Sequence, residues 1–163
     1  MSWEELHKKS IVVDLHSHPS LKSSVFHRDI GSSKTKLLQK FFKEQFWPFS
    51  GRVTFPKMEA GGVDVLLSTA YLLEQGWIDD MSIVQKLFWL FPKIKKKIVD
   101  VPYFDATILM LDEMEQQIES YNESIILKEG IVTTPERKVV LAKNGNDIKR
   151  AIRAGDMCVV HSV

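Results

Sequence analysis

The sequence predicts an α/β protein in which helices cover a parallel β-sheet. Short apolar runs rich in β-branched residues alternate with amphipathic segments at helical spacing. Continuous apolar runs are typical of strands that are buried on both faces of a parallel sheet. One helix is followed by a strand after a connection of only two residues, which is common in α/β folds. The 163 residues, 44% of them hydrophobic, fit one domain with a sizeable core.

Four segments are predicted to be strands. The first is the β-branched run Ile11 to Val13, which we expect to be buried. The second follows the turn signal of Gly61 and Gly62. The last runs from Met157 to Val163, at the end of the sequence. In chain order, the predicted strands are 11–13, 63–67, 138–142 and 157–163.

Two helices are predicted from hydrophobic periodicity and capping residues. Asp105 is expected to cap a helix over 106–121. Asn146 is expected to cap a second helix over 147–154, and Gly155 is expected to end it in a left-handed conformation. The expected inward faces are Ile108, Leu111, Ile118 and Tyr121 in the first helix, and Ile148, Ala151 and Ile152 in the second.

Two segments, residues 19–56 and 73–104, are too long to be ordinary connections. Both are rich in aromatic residues and lysine, as in "KFFKEQFWPF" and "QKLFWLFPKIKKK", and each is predicted to contain a helix. We interpret them as insertions whose aromatic side chains pack over the edge of the domain. A lid, a homodimer contact, a membrane-surface element and a nucleic-acid stacking surface are the alternatives.

Composition restricts the partners and the compartment. The net charge of +1 gives no overall attraction to nucleic acid or to an anionic membrane. No apolar run approaches the roughly 20 residues that span a bilayer, and the polar start does not resemble a signal peptide. A single cysteine, Cys158, excludes an internal disulfide and fits a reducing compartment. We therefore expect a cytoplasmic protein without nucleic-acid or membrane partners.

The stretch "VVDLHSHPS" carries the clearest chemical signal. Residues two apart on a strand point to the same side, so His16 and His18 are expected to project together, with Ser17 turned away. They lie at the carboxyl end of the first strand, where sites form in α/β folds. A divalent metal satisfies both imidazoles at once, and Asp14 on the same face is placed to orient a ligand. The alternative is a pair of solvent-facing histidines.

Two ligands do not complete a catalytic zinc site, which uses three protein ligands and an open position. His7 precedes the first strand and is expected at its opposite end, and His27 is expected in solvent. His161 lies near the carboxyl end of the last strand. There it is either a ligand or substrate contact, or a histidine with local hydrogen bonds. No carboxylate is placed convincingly as a third ligand.

Several segments together resemble the membrane (renal) dipeptidase family of the amidohydrolase superfamily. "IVVDLHSHP" is similar to the superfamily's metal motif on the first strand, and "FPKMEAGGVDVLLSTAYL" looks like the family's second-strand region. "DATILMLDEMEQQIESY" and "NGNDIKRAIRAGDMCVVHSV" resemble the following helix and the third-strand segment. These resemblances run in family order over most of the chain.

The resemblance implies a zinc hydrolase that cleaves dipeptides or related small amides. It implies the first part of a (β/α)8 TIM-type barrel, with one or two Zn²⁺ ions and a metal-bound hydroxide that attacks the amide carbonyl. His16 matches the family's first ligand. The second position is usually aspartate in the family, whereas it is His18 here, which leaves the site one negative charge short.

The resemblance also implies that residues 1–163 are the N-terminal part of a single barrel domain. The family's bridging glutamate and later ligands would lie beyond Val163, so we expect this segment alone to be inactive and to need a partner, a second copy or further chain. The alternatives are a phosphoesterase of the polymerase-and-histidinol-phosphatase type, a TatD-like nuclease, and a truncated, non-catalytic binding module. The phosphoesterase usually has a second Asp-His pair, and none occurs between residues 30 and 80.

Overall fold

A computed structural model describes residues 1–26, 29–32, 53–72, 101–128 and 131–162, with isolated helical residues at 82, 85, 86, 89, 92 and 96. The helices are α1 (Trp3–Lys9), α2 (Pro19–Phe26), α3 (Phe55–Ala60), α4 (Tyr103–Asn122) and α5 (Gly145–Ala154). The strands are β1 (Val13–Ser17), β2 (Val65–Thr69), β3 (Ile126–Lys128), β4 (Ile131–Thr133), β5 (Val139–Leu141) and β6 (Met157–Ser162).

The prediction of an α/β fold with a parallel sheet is confirmed. Strands β1, β2, β6 and β5 form a four-stranded sheet in that order, and each neighbouring pair is parallel. All four predicted strands belong to this sheet. The antiparallel pair of β3 and β4 was not predicted from the sequence.

Helices cover both faces of this sheet because successive strands are added in opposite directions along the sheet. The step from β1 to β2 runs one way and the step from β5 to β6 runs the other way. Right-handed crossovers in opposite directions place their helices on opposite faces. Leu66 and Val159 accordingly share a core with Met114 of α4, whereas Cys158 shares another with Ala151 of α5.

The expectation that the first strand is buried is wrong. β1 begins at Val13 and, within the described residues, pairs only with β2, so it is an edge strand. Ile11, Val13 and Leu15 are 59%, 43% and 70% exposed. The apolar run reflects β propensity rather than burial on two faces.

Helix α4 begins earlier than predicted. Pro102 occupies the N-cap position without a side-chain hydrogen bond, and Asp105 lies inside the first turn, so the predicted Asp105 cap is wrong. Ile118 and Tyr121 are buried as expected, but Ile108 is 40% exposed. The buried face instead follows a spacing of three or four residues through Ala106, Met110, Met114, Ile118 and Tyr121.

Helix α5 is capped two residues before the predicted position. Asn144 accepts hydrogen bonds from the backbone N–H groups of Asn146 and Asp147, and the Asp147 side chain accepts one from Asn144 N–H. Gly155 ends the helix with φ of 79°, which confirms the predicted left-handed C-cap. The connection to β6 is the short one expected.

Replacing Gly155 with alanine should destabilise the fold by about 1 kcal/mol, because a left-handed conformation penalises any Cβ. A Cβ at Gly155 would meet no atom within 4 Å, so the backbone conformation alone sets the cost. Gly145→Ala is the matched control, since that position is equally open and needs no positive φ. Urea unfolding that shows equal stability for both variants would contradict this assignment.

Arg137 joins the amino ends of three strands. Its guanidinium group donates to the backbone oxygens of Val63, Gly155 and Asp156 at 2.7–3.2 Å. It also forms an ion pair with Asp64 at 2.6 Å, and both side chains are 20% exposed. The other Asp64 oxygen accepts the backbone N–H of Val12 at 2.8 Å, which fixes the approach to β1.

A second carboxylate extends this network. Glu59 accepts the backbone N–H of Arg137 at 3.2 Å and the hydroxyl of Tyr121 at 3.1 Å. Burial, followed by the negative charge of Glu59, raises the pKa of the Tyr121 hydroxyl, so this group stays protonated and donates. The network therefore connects α3 and α4 to the amino edge of the sheet.

Most of the two predicted insertions lies outside the described residues. The first insertion contains α2 and the first two residues of α3, but the aromatic segment at 40–49 falls outside the described part. The segment at 85–97 has only isolated helical positions described. The predictions about packing, lids and dimer contacts in these segments therefore remain predictions. Among the helices of the described ranges, none has the length and apolar content to cross a bilayer.

Candidate metal centre

A register irregularity shapes the carboxyl end of β1. Asp14 pairs with Leu66 and Ser17 pairs with Ser68, so two residues of β1 lie opposite one residue of β2. This extra residue disturbs the simple alternation that the sequence suggested. Ser17 is buried and His16 is exposed, while His18 is half-buried just beyond the strand.

The structure brings His16 and His18 together. Their ring centroids are 4.5 Å apart, and the ring planes are nearly perpendicular. The Tyr71 ring lies 5.5 Å from that of His18, on the segment that follows β2. The pair thus stands at the carboxyl edge of the parallel sheet, the edge at which α/β proteins form their sites.

The environment of His18 determines which of its ring nitrogens can bind a metal ion. Its Nδ1 lies 3.3 Å from the backbone oxygen of Thr69, and a carbonyl oxygen can only accept a hydrogen bond. Nδ1 therefore carries the proton, and Nε2 of the neutral ring keeps its lone pair. This is the tautomer that a metal-binding histidine adopts when a carbonyl oxygen orients it.

Asp14 does not have the orienting role that the sequence suggested. Its carboxylate accepts hydrogen bonds from the Ser17 hydroxyl at 2.7 Å and from the backbone N–H of His16 at 3.1 Å. It therefore stabilises the irregular backbone of β1 rather than an imidazole ring. The backbone oxygen of Thr69 orients His18 instead, and a backbone contact of this kind has no signature in the sequence.

The remaining histidines do not complete the site within the described ranges. His7 lies near the opposite end of β1, with its Nε2 2.9 Å from the backbone oxygen of Gly61. His27 lies outside the described residues. His161 is on β6, two strands away from β1, and pairs in register with Ser68. Among the described residues, no three His, Cys, Asp or Glu side chains are arranged to hold a metal ion.

His161 lacks the local hydrogen bonds that one reading of the sequence gave it. Both ring nitrogens, and the hydroxyl of neighbouring Ser68, are shielded from water and have no hydrogen-bond partner among the described residues. Burial lowers the pKa of His161, and the negative charge of Glu115 opposes this shift. His161 is therefore a neutral imidazole with unused hydrogen-bonding capacity. Sequence reasoning missed Ser68, which read only as part of a strand.

Stability should fall on acidification below about pH 6.5 because of His161. The unfolded chain takes up a proton near the ordinary histidine pKa, whereas the folded chain resists protonation until its lowered pKa is reached. The charged residues Glu115 and Lys143 line the same cleft as His161. Urea unfolding between pH 8 and 5.5 should show a weaker pH dependence in His161→Gln than in His7→Gln. Equal slopes in the two variants would contradict this role.

Comparison with known proteins assigns no family to this chain. No protein-family model matches the sequence, and no curated protein matches it.

Proposed function

We propose that this chain belongs to a zinc-dependent hydrolase that cleaves dipeptides or related small amides, as the resemblance to membrane dipeptidase implies. The single observation that carries the proposal is the His16–His18 pair, with rings 4.5 Å apart at the carboxyl end of a parallel strand. The preferred tautomer of His18 supports it, because Nε2 retains the lone pair that a metal needs.

The strand order supports a barrel as the parent fold. Strands β1, β2 and β6 lie side by side in chain order and run parallel, as successive strands of a (β/α)8 barrel do. Strand β5 pairs with the other edge of β6, and α5 covers the sheet face opposite to α4; a barrel with helices only on its outside would not share these two features. We propose that these three strands are the start of such a barrel, in one domain with a cytoplasmic location.

The residues present fit a zinc ion as a partial site. His16 and His18 would hold it, and the backbone oxygen of Thr69 would orient His18. A bound Zn²⁺ would act as a Lewis acid that polarises an amide carbonyl and activates water. The Ser20 hydroxyl also donates to the Thr69 oxygen at 3.3 Å and so stabilises the position of that carbonyl.

The alternative with specific support is a non-catalytic metal-binding module. The described residues provide two histidines and no third ligand, whereas a catalytic zinc site uses three. A phosphoesterase would share the His-x-His strand. The two enzyme classes differ in substrate rather than in these two ligands, so a substrate panel separates them.

The experiment combines metal analysis with a substrate panel. The full-length protein is loaded with Zn²⁺, analysed by atomic emission, and assayed on a set of dipeptides and on p-nitrophenyl phosphate. The proposal predicts bound zinc and dipeptide hydrolysis, both lost in His16→Asn and retained in His7→Asn. Hydrolysis of the phosphate ester alone would favour the phosphoesterase, and zinc without either activity would favour the binding module. Zinc that is retained in His16→Asn would contradict the proposed site.

A further inference from the structure

A second feature lies at the carboxyl edge of the sheet, apart from the histidine pair. A cleft of about 430 Å³ opens over the ends of β5 and β6. This volume is within the range of about 300–1,000 Å³ typical of small-molecule sites. The side chains of Leu141, Ile148 and Val160 give it an apolar floor.

The topology explains why a cleft forms at this place. Helix α4, which follows β2 in the chain, packs on one face of the sheet, and α5, which follows β5, packs on the other face. Strand β6 lies between β2 and β5, so the helices that follow these two strands lie on opposite sides of β6. Such switch points are where open α/β sheets bind ligands.

The polar groups around this floor are few and differ in charge. Lys143 lines the cleft from the loop between β5 and α5, and Glu115 lines it from α4. His161 also lines the cleft, and both of its ring nitrogens lack a partner among the described residues. Because both nitrogens are shielded from water, His161 forms part of the cleft wall, and the charged groups available to a ligand are those of Lys143 and Glu115.

From this arrangement we propose that the cleft binds a free α-amino acid with an apolar side chain. Lys143 pairs with the ligand carboxylate, Glu115 pairs with its ammonium group, and the apolar side chain covers the floor formed by Leu141, Ile148 and Val160. A zwitterion is favoured over a simple anion because a positive and a negative side chain line the same cleft. This site goes beyond the proposed hydrolase function and does not require zinc.

The test is a titration followed by amide NMR, with EDTA present so that zinc plays no part. L-leucine is the probe, compared with L-leucinamide, which lacks the carboxylate, and N-acetyl-L-leucine, which lacks the ammonium group. Added L-leucine should shift the amide signals of residues 141–145 and 160–161. Binding that disappears with EDTA, or shifts confined to His16 and His18, would overturn the proposal.

Two variants test which charged group of the ligand each side chain contacts. Lys143→Gln should weaken L-leucine binding about tenfold and leave L-leucinamide binding unchanged. Glu115→Gln should also weaken L-leucine binding about tenfold, and it should leave N-acetyl-L-leucine binding unchanged. The controls are Lys138→Gln and Glu119→Gln, which change exposed residues that do not line the cleft. Equal affinities in the variants and in their controls would overturn the assignment.

Discussion

Replacing Arg137 with methionine should lower the free energy of unfolding by about 3 kcal/mol and the melting temperature by roughly 10 °C. The arginine side chain is only 20% exposed and satisfies three backbone oxygens as well as Asp64. Methionine retains the aliphatic volume but leaves the Asp64 carboxylate without its charged partner. Urea and thermal unfolding measure the loss.

The matched control for this prediction is Arg150→Met. Arg150 also pairs with an aspartate, Asp147, but its side chain is 78% exposed on the surface of α5. Exposed ion pairs contribute little because water and salt screen them. Similar stability losses in the two variants would mean that Arg137 does not hold the amino edge of the sheet together.

Replacing either His16 or His18 with glutamine should lower zinc affinity by about 100-fold, because each change removes one of the two ligands. Isothermal titration of Zn²⁺ into the purified protein measures the affinity. Both side chains are at least partly exposed, so the substitutions should leave the fold intact, which circular dichroism checks.

His7→Gln is the control for the zinc titration. His7 is exposed near the opposite end of β1, and its ring contacts the backbone oxygen of Gly61. This variant should bind zinc like the unchanged protein. A loss of affinity in His7→Gln comparable to that of His18→Gln would indicate unspecific binding by surface histidines.

Local signals in the sequence predicted the C-terminal part of the fold well. Helix α5 and strand β6 lie close to their expected positions because Gly155 and the periodicity of 147–154 act over short distances. The parallel sheet also follows from the apolar runs. The predicted cap at Asn146 was wrong because Asn144, two residues earlier, forms the cap hydrogen bonds. The predicted cap at Asp105 was wrong because the helix already begins at Tyr103, after Pro102, without a side-chain cap.

Features set by long-range contacts could not be predicted. The position of β1 at the edge depends on which strands pair, and the insertion of β6 between β2 and β5 depends on crossover direction. The Arg137 network joins groups that are more than 70 residues apart in sequence, such as Asp64. No local pattern encodes such a pairing.

The candidate metal centre could be predicted only in part from the sequence. The spacing of His16 and His18 correctly placed the two rings together, although the irregular register of β1 alters the alternation between them. The role predicted for Asp14 was wrong because its carboxylate accepts hydrogen bonds from the His16 backbone N–H and the Ser17 hydroxyl. The cleft beside His161 depends on the packing of α4 and α5 and has no sequence signature.

Long-range ¹H–¹⁵N NMR of the imidazole rings during a zinc titration tests the central claim most directly. At one equivalent of Zn²⁺, the account predicts shifted nitrogen signals for His16 and for His18 Nε2, with His18 Nδ1 still protonated and His7 unchanged. If the His16 and His18 signals do not shift while zinc is added, the two rings do not form a metal site, and the result contradicts the proposed hydrolase function.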